Sequence, residues 1–207
     1  MEPAASEVRD GRQGRSARSR LAICEACLDL VQEGELQPGA DQIALRAGVS
    51  RRSIFNHFAD LAELYDAVVE VGIKRCAPLL EEISEKQPVA RRVEHLVEVR
   101  SKFLEATVAF TRALTAQALV GPAADQAMRV SRESLQRQHQ DVERLFAHEL
   151  LGLRPAVRAE VLEAMSAALS PLLWESLRSS RENPPARARA VIKRTLRSIL
   201  RDAGVDA

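Results

Sequence analysis

Apolar residues recur along nearly the whole chain at helical spacing and nowhere in sustained alternation, so the pattern predicts an all-α protein. Leu21, Cys24, Leu28 and Val31 predict a first helix from about Ala17 to Val31, with Gly34 near its end. Ile43, Ala44 and Ala47 share one face of a short second helix, which the permissive backbone of Gly48 ends. Ser50 can cap a third helix by accepting from an unpaired backbone N–H, and Ile54 and Phe58 form its buried stripe. Asp60 caps a fourth, carrying Leu61, Leu64, Tyr65, Val68, Val69 and Ile73. Pro78 and Pro88 then punctuate a charged passage that reads as a junction. Beyond it the spacing predicts a helix from Ala90 to Leu119, with Val93, Leu96, Val97, Phe103, Leu104, Phe110 and Leu114 on apolar positions, and Gly121-Pro122 ends it. A long helix from about Ala123 to Leu151 follows, with Met128, Leu135, Val142, Leu145, Phe146 and Leu150 as its stripe. The last two helices are predicted over Ala156 to about Arg178 and Ala186 to about Ala203, separated by Glu182-Asn183-Pro184-Pro185.

The second and third helices carry the chemistry. Apolar anchors point inward while the opening turn of the third helix carries Arg51, Arg52 and Ser53, all able to donate hydrogen bonds. This is the arrangement of a helix-turn-helix, in which the first residues of the second motif helix reach base edges in the major groove. The candidate DNA-contacting residues are Ser50, Arg51, Arg52, Ser53, Phe55, Asn56 and His57.

The runs Ile43-Ala44, Ala47-Gly48-Val49-Ser50 and Phe55-Asn56-His57-Phe58, with Ile23, Ala26, Leu30 and Gly34 upstream, resemble the TetR family of bacterial transcriptional regulators. The resemblance covers Ala17 to about Lys74; the remainder resembles the family in length and helical character. The family usually has Thr at the position of Gly39, often Tyr at that of Phe55 and Lys at that of Leu61, the last two commonly touching phosphate. What the resemblance implies is a three-helix DNA-binding domain at 17–77, a helical ligand-binding and dimerisation domain at 78–207, and a repressor released from its operator by a small molecule. It also implies a pocket walled by the segment from Ala90 to Leu151, whose candidate lining residues are Phe103, Thr107, Phe110, Thr111, Gln117 and His139. A DNA-bound adaptor, whose body meets another protein, is the competing expectation.

Composition narrows this picture. The 207 residues suffice for a small reading domain and a helical body with its own core. A formal net charge of only +1 excludes general coating of DNA, so affinity must come from a local face. Arg9, Arg12, Arg15, Arg18 and Arg20, relieved only by Asp10, lie in a leader without apolar periodicity. Residues 1–16 therefore read as a disordered basic arm, able to lie along phosphates or to serve only as a solubilising tail. No apolar run is long enough to span a bilayer and no hydrophobic signal segment opens the chain, so a cytoplasmic protein without a membrane partner is expected.

The terminal helices carry more apolar residues than one packed face requires, and a two-fold bundle, as in members of the family the chain resembles, would bury the surplus; the competing expectation is that both helices simply finish the monomer core. The expected contacts of this homodimer are Leu169, Leu173, Ile192, Leu196 and Ile199. Catalysis finds no support: there is no phosphate loop, His-Glu-x-x-His or Gly-x-Ser-x-Gly, and His95, His139 and His148 lack ligand spacing. Cys24 and Cys27 form a Cys-x-x-Cys pair without a second pair, which reads as small buried thiols. No enzyme activity, metal or cofactor is expected.

Overall fold

The computed structural model describes residues 5–206, with side chains from residue 14 onward. Among the described residues there is no strand. The helices are α1 (Ala5–Gln32), α2 (Ala40–Ala47), α3 (Arg51–His57), α4 (Leu61–Cys76), α5 (Val89–Val120), α6 (Ala124–Leu150), α7 (Pro155–Ala168), α8 (Pro171–Glu175) and α9 (Pro185–Asp202). A 3-10 turn occupies Ala77–Leu79 and a π-helical turn Ser176–Ser180.

Two element boundaries differ from expectation. α1 begins at Ala5 and not near Ala17, so helix covers the part of the basic arm from Ala5 to residue 16. Absent apolar periodicity removes the packing signal, but Arg, Glu, Gln and Ala are themselves good helix formers. Residues 1–4, and the side chains of Arg9 and Arg12, lie outside the described residues. The helix expected from Ala156 to Arg178 is broken at Ser170, whose side chain caps α8 by accepting from the Leu173 N–H at 3.3 Å. Pro171 forces the break, because its ring has no N–H to give and pushes the preceding residue out of helical conformation; Ser170 is extended at φ −70°, ψ 151°.

The helices cluster in two compact units. One comprises Met1–Arg75 with Ala109–Arg129, the other Cys76–Val108 with Val130–Ala207. Residues 109–129, expected in the body, thus join the helix-turn-helix, and α5 and α6 each contribute residues to both units. The close approach at Gly72 shows why: a Cβ there would lie 2.6 Å from the Phe110 ring, so only a bare backbone lets α4 pack so tightly.

In the first unit, Ile23, Cys24, Cys27 and Leu28 of α1 pack with Ile43, Ile54, Phe58, Leu64, Tyr65, Val68 and Ala123, and Phe110 lies against this cluster. Burial pushes the Cys24 thiol up to about 11 and the Cys27 thiol to about 12. Leu21, expected inside, is exposed. Tyr65 donates to the Pro38 carbonyl at 2.6 Å, bracing the loop before α2, and desolvation pushes its phenol up to about 12.

The second unit centres on Val93, Val97 and Leu104 of α5, Val142, Leu145, Phe146 and Leu150 of α6, Met165 of α7, Trp174 of α8 and Ile192, Leu196 and Leu200 of α9. Leu135, expected in the α6 stripe, is exposed, and so is Met128 at the first-unit end of that helix; Gln138 takes a buried position on α6. Two guanidinium groups are buried in this unit. Arg92 pairs with Glu149 and also donates to the Leu145 carbonyl. Arg100 has no carboxylate in hydrogen-bond contact; it donates to the Leu169 carbonyl at 3.3 Å and to Gln138 Oε1 at 2.5 Å. Burial lowers the Arg100 pKa to about 10, so it stays charged at neutral pH.

Candidate nucleic-acid interface

The turn between α2 and α3 is built from caps and one left-handed residue. Gly39 caps α2 through its backbone, its N–H donating to Gln42 Oε1 at 2.7 Å and its carbonyl accepting from the Ile43 N–H at 3.0 Å. Gly48 ends α2 at φ 67°, a conformation that costs a residue with a Cβ roughly 1–2 kcal/mol. Ser50 is extended and its hydroxyl accepts from the Ser53 N–H at 3.1 Å, which starts α3. Ile43, Ile54 and Phe58 are fully buried, so the rotation of α3 about its axis is fixed by packing.

Consequently the opposite face of α3 is open. Ser50, Arg51, Arg52, Phe55 and Asn56 are exposed, and Ser53 and His57 are half-buried. Arg51 Nη1 lies 3.0 Å from Asp41 Oδ2 in the first turn of α2, with its guanidinium 5.8 Å from the Phe55 ring centroid. Both members of that pair are well exposed, and such pairs contribute about 0–1 kcal/mol, so the guanidinium can be given up to a phosphate or a base at little cost. Arg52 makes no ion pair among the described residues.

A second group holds the far end of α3. Arg20 of α1 donates to the His57 carbonyl, sits 4.0 Å from the centroid of the Phe58 ring and pairs with Glu63 Oε1 at 2.9 Å. The other Glu63 oxygen accepts from the Ala59 N–H at 2.7 Å; that bond, with the Arg20 bond second, holds the Glu63 carboxyl below its ordinary range. Arg20, read from the sequence as part of a basic leader, is therefore a clamp on the C-terminal end of α3. Its i−3 spacing from Ile23 is the signal in the sequence that could have placed it there. Leu45, one turn after Asp41 on α2 and 86% exposed, is a second residue outside the sequence reading; it is an apolar residue off the Ile43, Ala44, Ala47 stripe.

The other expected sites are less coherent. Of the six candidate pocket residues, Phe103, Thr107 and His139 belong to the second unit and Phe110, Thr111 and Gln117 to the first. In the second unit, Phe103 lies under Arg100 at 5.1 Å and His139 Nδ1 is 3.1 Å from Ser166 Oγ, while Gln138 Nε2 donates to the Ser166 carbonyl at 2.7 Å. Thr107 is turned back on its own helix, donating to the Phe103 carbonyl at 2.8 Å. In the first unit, Phe110 fills the space over Gly72, and both polar atoms of the buried Gln117 amide lack a hydrogen-bond partner. Of the expected dimer contacts, Leu169, Ile192 and Leu196 are instead buried in the core of their own unit, where the α9 stripe Ala188, Ile192, Leu196, Leu200 spends its apolar face. Leu173 and Ile199 are half-buried, and Leu172 and Val191 beside them are exposed. Among the described residues no three His, Cys, Asp or Glu gather as a metal site, and no helix is long and apolar enough to cross a membrane.

No protein-family model and no curated protein matches this chain. Two solved structures share its fold. A transcriptional regulator from Rhodococcus sp. Rha1 superimposes with a TM-score of 0.70 at 19% identity, over 91% of this chain and 99% of that one. A TetR-family transcriptional regulator from Streptomyces coelicolor gives 0.65 at 17% identity, over 91% of this chain and 82% of that one. The all-α fold, a helix-turn-helix followed by a helical C-terminal part, is that of the TetR-family regulators.

Proposed function

We propose that this protein is a TetR-family transcriptional regulator that reads operator DNA through α3 as a homodimer and leaves it when a small molecule binds. The observation that carries the reading is the division of α3 into a buried anchor, Ile54 with Phe58, and an exposed turn offering Arg51 and Arg52. That division, together with the fold, supports a major-groove reader. Two heads reading two half-sites would give a small motif its specificity, and Leu172, Leu173, Val191 and Ile199 form the apolar face on which a second copy would rest. Ligand release would act by population shift: the ligand favours an arrangement of the heads that fits the operator less well. α4, which begins three residues after Phe58 is fixed in the first core, is the nearest lever on the reading helix; α5 and α6 also pass through both units.

The decisive experiment is an electrophoretic titration of the full chain with the DNA flanking its own gene, repeated against a panel of metabolites. A saturable, competitor-resistant shift is expected, relieved by at least one compound. Binding no tighter than to random duplex would remove the regulator reading. A specific shift that no compound relieves would leave a DNA-bound adaptor whose body meets another protein.

A further inference from the structure

The two arginines that open α3 are not equivalent, and the difference lies in α2. Arg51 Nη1 donates to both carboxylate oxygens of Asp41, at 3.3 Å to Oδ1 and 3.0 Å to Oδ2, and the Phe55 ring borders the same guanidinium. The Arg52 side chain makes no ion pair and no hydrogen bond among the described residues, so nothing orients it. Asp41 and Arg51 face each other across a turn whose backbone is set by Gly48 and the Ser50 cap, while buried Ile43 and Ile54 set the faces of the two helices.

Which donor Asp41 takes decides what Arg51 can still do. In an arginine side chain the Nε–H and one N–H of Nη2 point the same way as a parallel pair, while Nη1 stands on the other side of the fork. Asp41 takes Nη1 alone. The Nε and Nη2 donors have no hydrogen-bond partner among the described residues, and they are a pair whose spacing matches two acceptors side by side. N7 and O6 of guanine are such acceptors. Asp41 also sorts by charge. A phosphate brought to Arg51 is repelled by the neighbouring carboxylate, whereas N7 and O6 are neutral and respond chiefly to the N–H groups they touch. The reading edge is therefore free while the ion pair stays closed.

We propose, resting on the regulator reading above, that Asp41 is a positioning residue for base recognition: it holds Arg51 with the Nε–Nη2 edge toward a guanine in the major groove and keeps it off the phosphates. Arg52, unoriented, is left to the DNA backbone. Specificity at this base pair is thereby shared by both helices of the motif. An acid in the first turn of a helix also offsets the helix dipole, but that role concerns the stability of α2 and not the direction of Arg51. The two roles predict different behaviour.

The full-length wild type and the variants Arg51→Ala, Asp41→Ala and Asp41→Ala, Arg51→Ala select from randomised duplexes, and the selected duplex and its single-base relatives are then titrated electrophoretically. The wild type is expected to demand a guanine that Arg51→Ala no longer demands, a preference lower by about tenfold or more. Asp41→Ala should lower the preference at that same base pair alone, about two- to fivefold, the range open to an exposed ion pair. It should bind random duplex at least as tightly as the wild type, because a negative charge facing the DNA is gone. The double variant should prefer guanine no less than Arg51→Ala does, since Asp41 acts only through Arg51. Asp41 is exposed, so Asp41→Ala should melt close to the wild type. Should it not, Asp41→Ser, which keeps a short polar group in the first turn of α2, gives the same comparison. An Asp41 that served only α2 would weaken every base preference alike and lower the melting temperature, and that result overturns the proposal. So does full guanine preference in both Asp41 variants. An Arg51→Ala protein that keeps every base preference and loses only salt dependence would place Arg51 on a phosphate, overturning the proposal and leaving the regulator reading standing. A wild type that selects no sequence overturns both.

Discussion

At the scale of single residues, the exposed opening of α3 should decide sequence reading. One bidentate arginine–guanine contact carries about 1–3 kcal/mol of discrimination, so Arg51→Ala, Arg52→Ala should lose specific affinity about tenfold or more while keeping the wild-type melting temperature. Unchanged affinity in an electrophoretic titration would take this helix out of the role. The buried thiols and phenol of the first core make a separate prediction. Folding raises Cys24 and Cys27 from 9.0 to about 11 and about 12, and Tyr65 from 10.0 to about 12. Their contribution is therefore whole below about pH 9 and is lost as the pH climbs toward 12, because the unfolded chain ionises first. Thermal melts should be flat from pH 7 to 9 and fall steeply above, and Cys24→Ala, Cys27→Ala should soften the fall. The exposure of Arg51, Arg52, Phe55 and Asn56 is legible in the sequence because a short helix with a fixed buried stripe leaves only one other face. Arg20 and Arg100 are not: an arginine in a helical pattern looks solvated, and what buries Arg100 lies far along the chain, at Gln138 and Leu169.

Helices and their ends are legible wherever caps and prolines mark them, as at Gly48, Ser50 and Pro185. The break at Ser170-Pro171 is masked because Leu162, Met165, Leu169 and Leu173 keep helical spacing straight through it. Apolar periodicity reports which side is buried and says nothing of what buries it, so Ile192 and Leu196 look like surplus for a partner when they fill their own core. That changes the interface test. Leu196→Glu would place an unpaired charge inside the unit and unfold it, whereas Leu172→Glu, at a position 82% exposed, should leave the fold intact and oppose only the dimer. Light scattering should give two chains for the wild type and one for Leu172→Glu, and a single-chain wild type at micromolar concentration would contradict the homodimer. A smaller effect is expected at the start of α2. Gly39 is extended at φ −72°, and a Cβ there meets only Gln42 Oε1 at an ordinary 3.5 Å, so Gly39→Ser should fit and add roughly a few tenths of a kcal/mol as a true side-chain cap. Denaturant midpoints read this, and a lower midpoint would mean that the added hydroxyl disturbs the bond from the Gly39 backbone to Gln42.

For the whole molecule, ligand and operator must oppose each other equally if release is allosteric. A hundredfold loss of operator affinity requires a coupling of about 2.7 kcal/mol, and operator DNA must weaken ligand binding by that same hundredfold. Calorimetry of the releasing compound with and without operator checks it; equal affinities in the two titrations would show that the bound pocket does not regulate. The two-part plan is visible from the change of pattern near Pro78 and Pro88, but its true partition is not, since the contact of Gly72 with Phe110 joins positions far apart in the chain. That contact has a bearing on how such proteins can be recombined. A chimera that grafts residues 1–77 onto a foreign body leaves behind Phe110 and Ala123, and with them part of the wall of the first core. A head grafted in this way is expected to lose stability unless the new body supplies a ring to cover Gly72.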